Sequence, residues 1–339
     1  MKSLLKRIMN GSSLSEAEAF NLLSQITENN IHEAQVGAIL GALRTKGETS
    51  DEISGFAKYL KKKSIPFPYQ AKEDEILVDT CGTGGDDIGS FNISTAVAFV
   101  LASGGVKVAK HGNRSVSSRC GCADVLEELN VPLDLKPKES AEDLKNKNFT
   151  FLFAPIYHPS FKKLATIRKS IQVRTIFNLL GPLLNPAAVK RQLVGVFDGN
   201  YVIKMAEALK KIGHKEAMVV NGQDGMDEFS ISGPTQVAHL KNNKITELII
   251  KPEDFGLKSA SLKDIKGGSK RENAKLLEDI LCGKIRGAKK DIVSLNAGAA
   301  FYIAGKTNSF KNGVNLASSL MTLGKAYEAL DSLRIGRSL

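Results

Sequence analysis

Gly82, Gly84 and Gly85 sit in the stretch Asp79-Thr80-Cys81-Gly82-Thr83-Gly84-Gly85-Asp86-Asp87, directly after the apolar run Ile76, Leu77, Val78. A turn without β-carbons lets its backbone amides converge on an anion, and a helix beginning near Ile93 would add its positive end to the same spot. Phosphate is the anion this arrangement suits. The nucleotide P-loop is excluded because no Lys-Ser/Thr pair follows the glycines. The dinucleotide fingerprint is excluded because Gly82-Thr83-Gly84-Gly85 lacks a glycine three residues further on. Alone, the turn reads equally well as a tight strand-to-helix connection with no ligand.

Ser90, Asn92, Ser94 and Thr95 follow, with only Phe91 and Ile93 as apolar spacers. One such residue would serve as a helix N-cap, whereas four short donors and acceptors exceed that need and suit a metal-bound polyphosphate. A second concentration of polar groups, Lys110-His111-Gly112-Asn113-Arg114-Ser115-Val116-Ser117-Ser118, ends the short apolar run Val106 to Ala109. The C-terminal ends of strands are where open α/β sheets bind ligands; a solvated basic loop is the alternative. Two further groups have bland default readings. Asp227 and Glu228 are adjacent acids in a glycine-flanked loop, and Lys162, Lys163, Arg168 and Lys169 could be the wet face of a helix.

The elements that must position these residues alternate. Residues 1 to about 65 read as short amphipathic helices: Ser15-Glu16-Ala17-Glu18 is a capping box, a second helix runs from about His32 to Thr45, and Thr49-Ser50-Asp51-Glu52 opens a third. Pro66 and Pro68 mark a linker. Strands are expected at Ile76–Val78, ending at Asp79, and at Val106–Ala109, Phe149–Phe153, Gln192–Phe197, Ala217–Val220 and Gln236–Leu240, with helices between and antiparallel strands added over Thr235–Ile250. The fold class expected is α/β: a small helical domain, residues 1–68, ahead of a large α/β domain, residues 69–339, with a central, mostly parallel sheet.

A chain of 339 residues, 42% hydrophobic with ten prolines, can bury a real core and is not disordered. No apolar run approaches a membrane span, and Lys2, Lys6 and Arg7 precede no signal-like apolar region, so a cytoplasmic protein without membrane partners is expected. Cys81, Cys120, Cys122 and Cys282 are too few for a disulfide scaffold and read as reduced thiols. The formal charge of +11 suits a sugar phosphate as well as nucleic acid, and no aromatic residues interleave Lys61-Lys62-Lys63 as a single-strand groove would want.

Five segments in register carry a resemblance over nearly the whole chain: Cys81 to Asp86, Asn92 to Thr95, Lys110 to Ser118, Arg174-Thr175-Ile176-Phe177-Asn178-Leu179-Leu180-Gly181-Pro182, and Asp224 to Glu228. Together they resemble the anthranilate phosphoribosyltransferase family. The resemblance implies a nucleoside-phosphorylase-like fold, a homodimer formed by the helical domain with segment 160–185 packed on it, and transfer of phosphoribosyl from 5-phosphoribosyl 1-diphosphate (PRPP) to the amine of anthranilate in tryptophan biosynthesis. Gly82 to Asp86, Ser90, Asn92 to Thr95, Lys110 to Ser118 and Cys122 would bind PRPP. Arg168 would bind the anthranilate carboxylate, with Asn113 on its other side and Tyr157 and His158 at the entry. Lys110, Asn113 and Arg168 would be catalytic. Ser94, Asp227 and Glu228 would hold Mg²⁺, and two ions are compatible with a diphosphate. An association with anthranilate synthase is a further implied partnership, while a nucleic-acid partner is not expected.

Three residues depart from the family pattern: Cys122 where Ser is usual, Ser90 where Thr is usual, and Asp87 where Gly is usual. Asp87 places a negative charge beside a diphosphate site. Two rivals share the architecture, a pyrimidine nucleoside phosphorylase and a nucleic-acid-binding relative, and neither would need Gly82 to Asp86, Arg168 and Asp227-Glu228 together.

Overall fold

The computed structural model describes residues 2–28, 30–72, 75–115 and 120–334. Four helices open the chain: α1 (Lys2–Met9), α2 (Glu16–Thr27), α3 (Glu33–Lys46) and α4 (Ser50–Lys62). Their starts follow local chemistry. Ser15 and Thr49 each close a reciprocal capping box with the Glu three residues on, and His32 caps α3 by accepting from the Ala34 amide. Their inward faces are mostly apolar, with Leu23, Ile39, Leu40, Leu43, Ile53, Phe56 and Leu60 all 0% exposed, and the equally buried Glu52 is satisfied by the Leu14 amide and Lys46.

Seven strands form one sheet: β1 (Leu77–Gly82), β2 (Lys107–Gly112), β3 (Phe149–Phe153), β4 (Arg191–Gly195), β5 (Glu216–Gly222), β6 (Thr235–Lys241) and β7 (Lys244–Ile250). Their order is β3-β2-β1-β4-β5-β6-β7. The five strands from β3 to β5 are parallel, and β6 and β7 complete the sheet antiparallel. The chain is therefore an N-terminal helical bundle followed by a larger α/β portion with a mostly parallel sheet, and the late antiparallel pair lies in the Thr235–Ile250 region where antiparallel strands were expected.

One expectation is corrected at β1. Asp79 was read as the end of the strand, but pairing with β4 continues from Val78 through Gly82. Asp79 is tolerated there because it is wholly buried and hydrogen-bonded on all sides, as described below.

Between the strands run α5 (Ile93–Ser103), α6 (Cys122–Glu128), α7 (Pro137–Lys147), the single turn α8 (Ala154–Tyr157), α9 (Phe161–Ile171), the single turn α10 (Phe177–Leu180) and α11 (Val202–Lys211). After β7 come α12 (Lys270–Leu281), α13 (Ala288–Ile303), α14 (Phe310–Thr322) and α15 (Lys325–Asp331). Among the described residues no helix is long and apolar enough to cross a membrane.

Two cores cover the two faces of the sheet. On one, α5 packs with α6 and α12 to α15 against Val78, Val108, Leu193 and Val220. Gly298 of α13 and Gly313 of α14 meet backbone to backbone, so a side chain at either would collide with the other helix. On the other face the N-terminal helices share a core with Leu164, Ile176, Phe177, Leu179, Leu180, Leu183 and Leu184, with α11, and with Val194, Val219 and Leu240 of the sheet. The C-terminal ends of β1, β2 and β4 open between these two halves, and the polar segments singled out in the sequence lie there.

Candidate active site

The glycine loop leaves β1 in a conformation that explains its composition. Gly84, Gly85 and Gly89 have φ of 65°, 75° and 71°, and Asp87 has φ of 58°, all in the left-handed region where glycine is favoured. Thr83 ties the loop to the end of β4: its amide donates to the Gly195 carbonyl at 2.9 Å, and its hydroxyl accepts from the Phe197 amide at 3.1 Å. The Gly84 amide donates to Asp227 Oδ2 at 2.7 Å. Gly82 and Gly195 are obligatory for a separate reason. A β-carbon on either would collide with Asp227, so the loop bearing Asp227 packs directly on two glycines.

Three carboxylates meet at this point. Asp227 hydrogen-bonds to Asp86 through both its amide and its carboxyl, and the Ser94 amide donates to Glu228. Desolvation first, and the neighbouring Asp86 second, push Asp227 up to about 7. Glu228 is raised well above the ordinary carboxylate range by desolvation and then by Asp227, and burial also raises Asp86. Lys110 is the compensating charge. It is 1% exposed, and its ammonium donates to the Thr80 carbonyl at 2.6 Å and to Ser94 Oγ at 3.2 Å.

Crowded carboxylates held above their ordinary pKa suit a hard divalent cation. Among the described residues no three His, Cys, Asp or Glu side chains are placed to hold a metal unaided. A cation at Asp227, Glu228 and Ser94 would complete its shell with water and substrate oxygens, the manner in which Mg²⁺ is bound beside phosphates.

At the start of α5, Asn92 occupies the N-cap position without capping. Its side chain instead donates to the Cys120 carbonyl at 3.1 Å and accepts from Asn273 at 3.2 Å. Ser90 pairs with Lys266 in a short bridge, keeping its hydroxyl side partly exposed. Thr95 Oγ1 is buried with no hydrogen-bond partner among the described residues. Ile93, expected among the binding residues, is 2% exposed in the core, and its amide donates to the Phe91 carbonyl.

Behind Lys110 lies a buried network that the sequence did not show. Asp79 accepts from the His111 amide at 3.3 Å, from Asn185 Nδ2 at 2.9 Å and from Gln192 Nε2 at 3.2 Å. Burial raises it to about 6 against the pull of Lys110. His111 is 4% exposed and pairs through Nδ1 with the Gly181 carbonyl at 3.2 Å. Since a carbonyl only accepts, Nδ1 carries the proton and Nε2 presents a bare lone pair, buried without a partner. Desolvation first, then the adjacent His158, hold His111 down to about 3, so it is neutral at physiological pH.

Past His111, Gly112 accommodates Cys122, whose Sγ would collide with a β-carbon there. The thiol donates to the Asn113 carbonyl at 3.3 Å, so this departure from Ser retains a hydrogen bond. Asn113 Oδ1 caps the Arg114 amide at 2.8 Å. Arg114 is already engaged as a fork on Glu127, at 2.7 and 2.8 Å, and on Asp124 at 3.2 Å. The Ser115 amide donates to Asp124 at 3.2 Å. Val116, Ser117 and Ser118 lie outside the described residues.

Arg168 stands apart from this cluster. It projects from α9 over the Phe177 ring, 5.9 Å from its centroid, and among the described residues no carboxylate pairs with it. Desolvation lowers its pKa. A half-buried guanidinium without a counter-ion is suited to an anionic ligand. His158 is 3% exposed, sits edge-on to His111 with centroids 5.2 Å apart, and is held down to about 4 by burial. Tyr157, which the resemblance put at the substrate entry, lies in the interior of the fold. It is 1% exposed and packs edge-on against Phe67.

Two supports came from segments in which no functional role was expected. Asn296, wholly buried in α13, accepts from the Phe229 amide at 2.9 Å and donates to the Phe229 carbonyl at 3.0 Å, pinning the loop immediately after Glu228. Asn273, in α12, orients Asn92, and the Gly267 amide donates to the Gly89 carbonyl at 3.0 Å. The signal available was an asparagine in an otherwise Ala- and Gly-rich buried helix.

A phosphate-sized glycine loop, a buried lysine and a carboxylate cluster ahead of an unpaired arginine define a group-transfer site, and the comparisons specify its class. Residues 2–64 match the model described as glycosyl transferase family, helical bundle domain, and residues 74–327 match the glycosyl transferase family, a/b domain. The anthranilate phosphoribosyltransferase of Persephonella marina is 47% identical over 98% of this chain and 98% of its own length. The crystal structure of the Thermus thermophilus enzyme of that name superposes with a TM-score of 0.90 at 40% identity, covering 97% of each chain. The Saccharomyces cerevisiae enzyme, in complex with PRPP and Mg, superposes at 0.85 with 27% identity over 98% of this chain and 96% of that one. The chain belongs to the anthranilate phosphoribosyltransferase family.

Proposed function

We propose that this protein transfers the phosphoribosyl group of PRPP to the amine of anthranilate, giving N-(5-phosphoribosyl)anthranilate and diphosphate, as its relatives' names state for them. The observation that carries this reading is the convergence of the Gly82–Asp86 loop, Lys110 and the Asp86, Asp227 and Glu228 carboxylates on one point. A free-phosphate phosphorylase would have no use for that carboxylate cluster.

The donor is bound by the amides of the glycine loop and by the start of α5, where the Thr95 hydroxyl awaits a partner. Mg²⁺, held by Ser94, Asp227 and Glu228, supplies positive charge to the diphosphate and so improves it as a leaving group. In our reading there are two ions, their number set by the diphosphate rather than by further protein ligands. Lys110, already within 3.2 Å of Ser94 Oγ, adds a fixed positive charge at the same place. As the C1–O bond to diphosphate lengthens, ribose takes on oxocarbenium character, and preorganised charge around the leaving group stabilises that state.

Arg168 holds the anthranilate carboxylate, and Asn113 flanks the ring. The neutral aromatic amine is itself the nucleophile, so the chain needs to align it with C1 and not to activate it covalently; the C1–N bond forms as the C1–O bond to diphosphate breaks, and the proton shed by the nitrogen passes to water or to the departing diphosphate. Neutral His111, with Nε2 as an acceptor, can receive an N–H hydrogen bond; its pKa near 3 makes it a poor proton acceptor. Residues 1–68 and 69–339 are the two units of our reading. The helical unit makes a homodimer, and the enzyme is a cytoplasmic one of tryptophan biosynthesis. Mixing the protein with PRPP, Mg²⁺ and anthranilate should release diphosphate stoichiometrically with product. Release at the same rate with anthranilate omitted would contradict a transfer to the amine.

A further inference from the structure

Arg174 lies just past the end of α9, in the family segment to which no role has been given, yet it reaches the donor loop. Its guanidinium rests on Phe197, 4.9 Å from the ring centroid. A β-carbon at Gly85 would stand 3.6 to 3.8 Å from three of its atoms, so the fork lies on the last glycine of the Gly82–Asp86 loop. One terminal nitrogen, NH2, binds Asp87 Oδ2 at 2.6 Å. Asp87 is the residue that stands where glycine is usual, and its φ of 58° is a conformation that disfavours a side chain.

We infer that Arg174 contacts the diphosphate of the donor, and that Asp87 competes with the diphosphate for the same guanidinium. The inference rests on the donor-binding reading of the glycine loop. Three observations point to it. The fork is stacked on an aromatic ring and laid against Gly85 of the glycine loop, a placement from which an arginine can take phosphate bidentately. Its carboxylate partner is 77% exposed and the arginine side chain 39%, so the ion pair is a weak surface one, readily exchanged for a ligand of higher charge. Asp87 adjoins Asp86, which already faces Asp227, so its carboxylate opposes diphosphate directly unless Arg174 neutralises it.

Donor affinity is then set by an exchange: diphosphate takes the fork and Asp87 turns to solvent.

The test is calorimetric titration of the full-length protein with inorganic diphosphate, and separately with PRPP, at constant Mg²⁺ and salt. Arg174→Ala should raise the diphosphate Kd roughly tenfold or more, since a charge-assisted contact is lost. Arg174→Lys should recover part of the loss, because charge returns without the fork. Asp87→Asn should lower the Kd about two- to five-fold, and much less when Arg174 is already alanine. The anthranilate KM should move less than the PRPP KM in each variant. An unchanged Kd in Arg174→Ala, or an Asp87→Asn effect equally large in both backgrounds, would overturn the inference while leaving donor binding intact. A wild-type chain that takes up neither diphosphate nor PRPP would overturn the donor reading itself.

Discussion

The Gly84 amide donates to Asp227 Oδ2 across 2.7 Å, joining a glycine of the first strand's loop to an acid 143 residues later. The anion cradle and the carboxylate pair are thereby one rigid object, held close enough that neither Gly82 nor Gly195 can carry a β-carbon.

Gly195→Ala should accordingly be far more damaging than its size suggests. The methyl would force the Asp227 backbone away, and a displacement of about 1 Å at a reacting centre can cost on the order of 100-fold in rate. We expect kcat/KM to fall by about that factor with far-UV circular dichroism unchanged. Near-normal activity would show that the Asp227 loop is not part of the site.

Arg168→Ala should separate the two substrates. Loss of a charge-assisted contact costs about 1.5 to 3 kcal/mol, so the anthranilate KM should rise roughly ten- to 100-fold while the PRPP KM stays within about twofold. Steady-state kinetics with each substrate varied in turn provide the check, and equal rises in both constants would contradict the assignment.

Metal binding should depend on pH in a defined direction. Asp227 titrates near 7 instead of its ordinary 3.8. Its proton is therefore held more tightly in the folded chain, and ionising it costs stability that accumulates as pH rises from about 4 to about 7. Mg²⁺ binds the ionised form and relieves that cost. The rise in Tm on adding Mg²⁺ should be small at about pH 5.5 and larger by a few degrees at about pH 8. Asp227→Asn should flatten the difference.

Asn296→Ala tests a support far from the chemistry. Removing the carboxamide leaves both backbone groups of buried Phe229 unpaired, at about 1 to 3 kcal/mol each. We expect a lower Tm, and a weakened Mg²⁺ affinity that a purely structural asparagine would not produce.

Much of this architecture was legible because its causes are local. The capping boxes at Ser15 and Thr49 and the apolar run into the glycine turn each act within a few residues. What was not legible depended on long-range contact. Asp79 looked like a strand end, since a lone carboxylate in a central strand is costly; Asn185 and Gln192, more than a hundred residues later, make it tolerable. The packing of Tyr157 against Phe67, ninety residues earlier, is likewise a long-range contact. Gly195 resembles any strand terminus until Asp227 is seen against it. Asp87 looked like a misplaced charge before Arg174 appeared beside it.

The most direct measurement is the loss of anthranilate fluorescence on mixing the purified protein with PRPP and Mg²⁺, run beside a metal-free sample and the Asp227→Asn/Glu228→Gln double variant. Our account predicts a loss that requires metal and disappears in the double variant. Fluorescence that is steady at every substrate level, or lost equally with and without the two carboxylates, would contradict it.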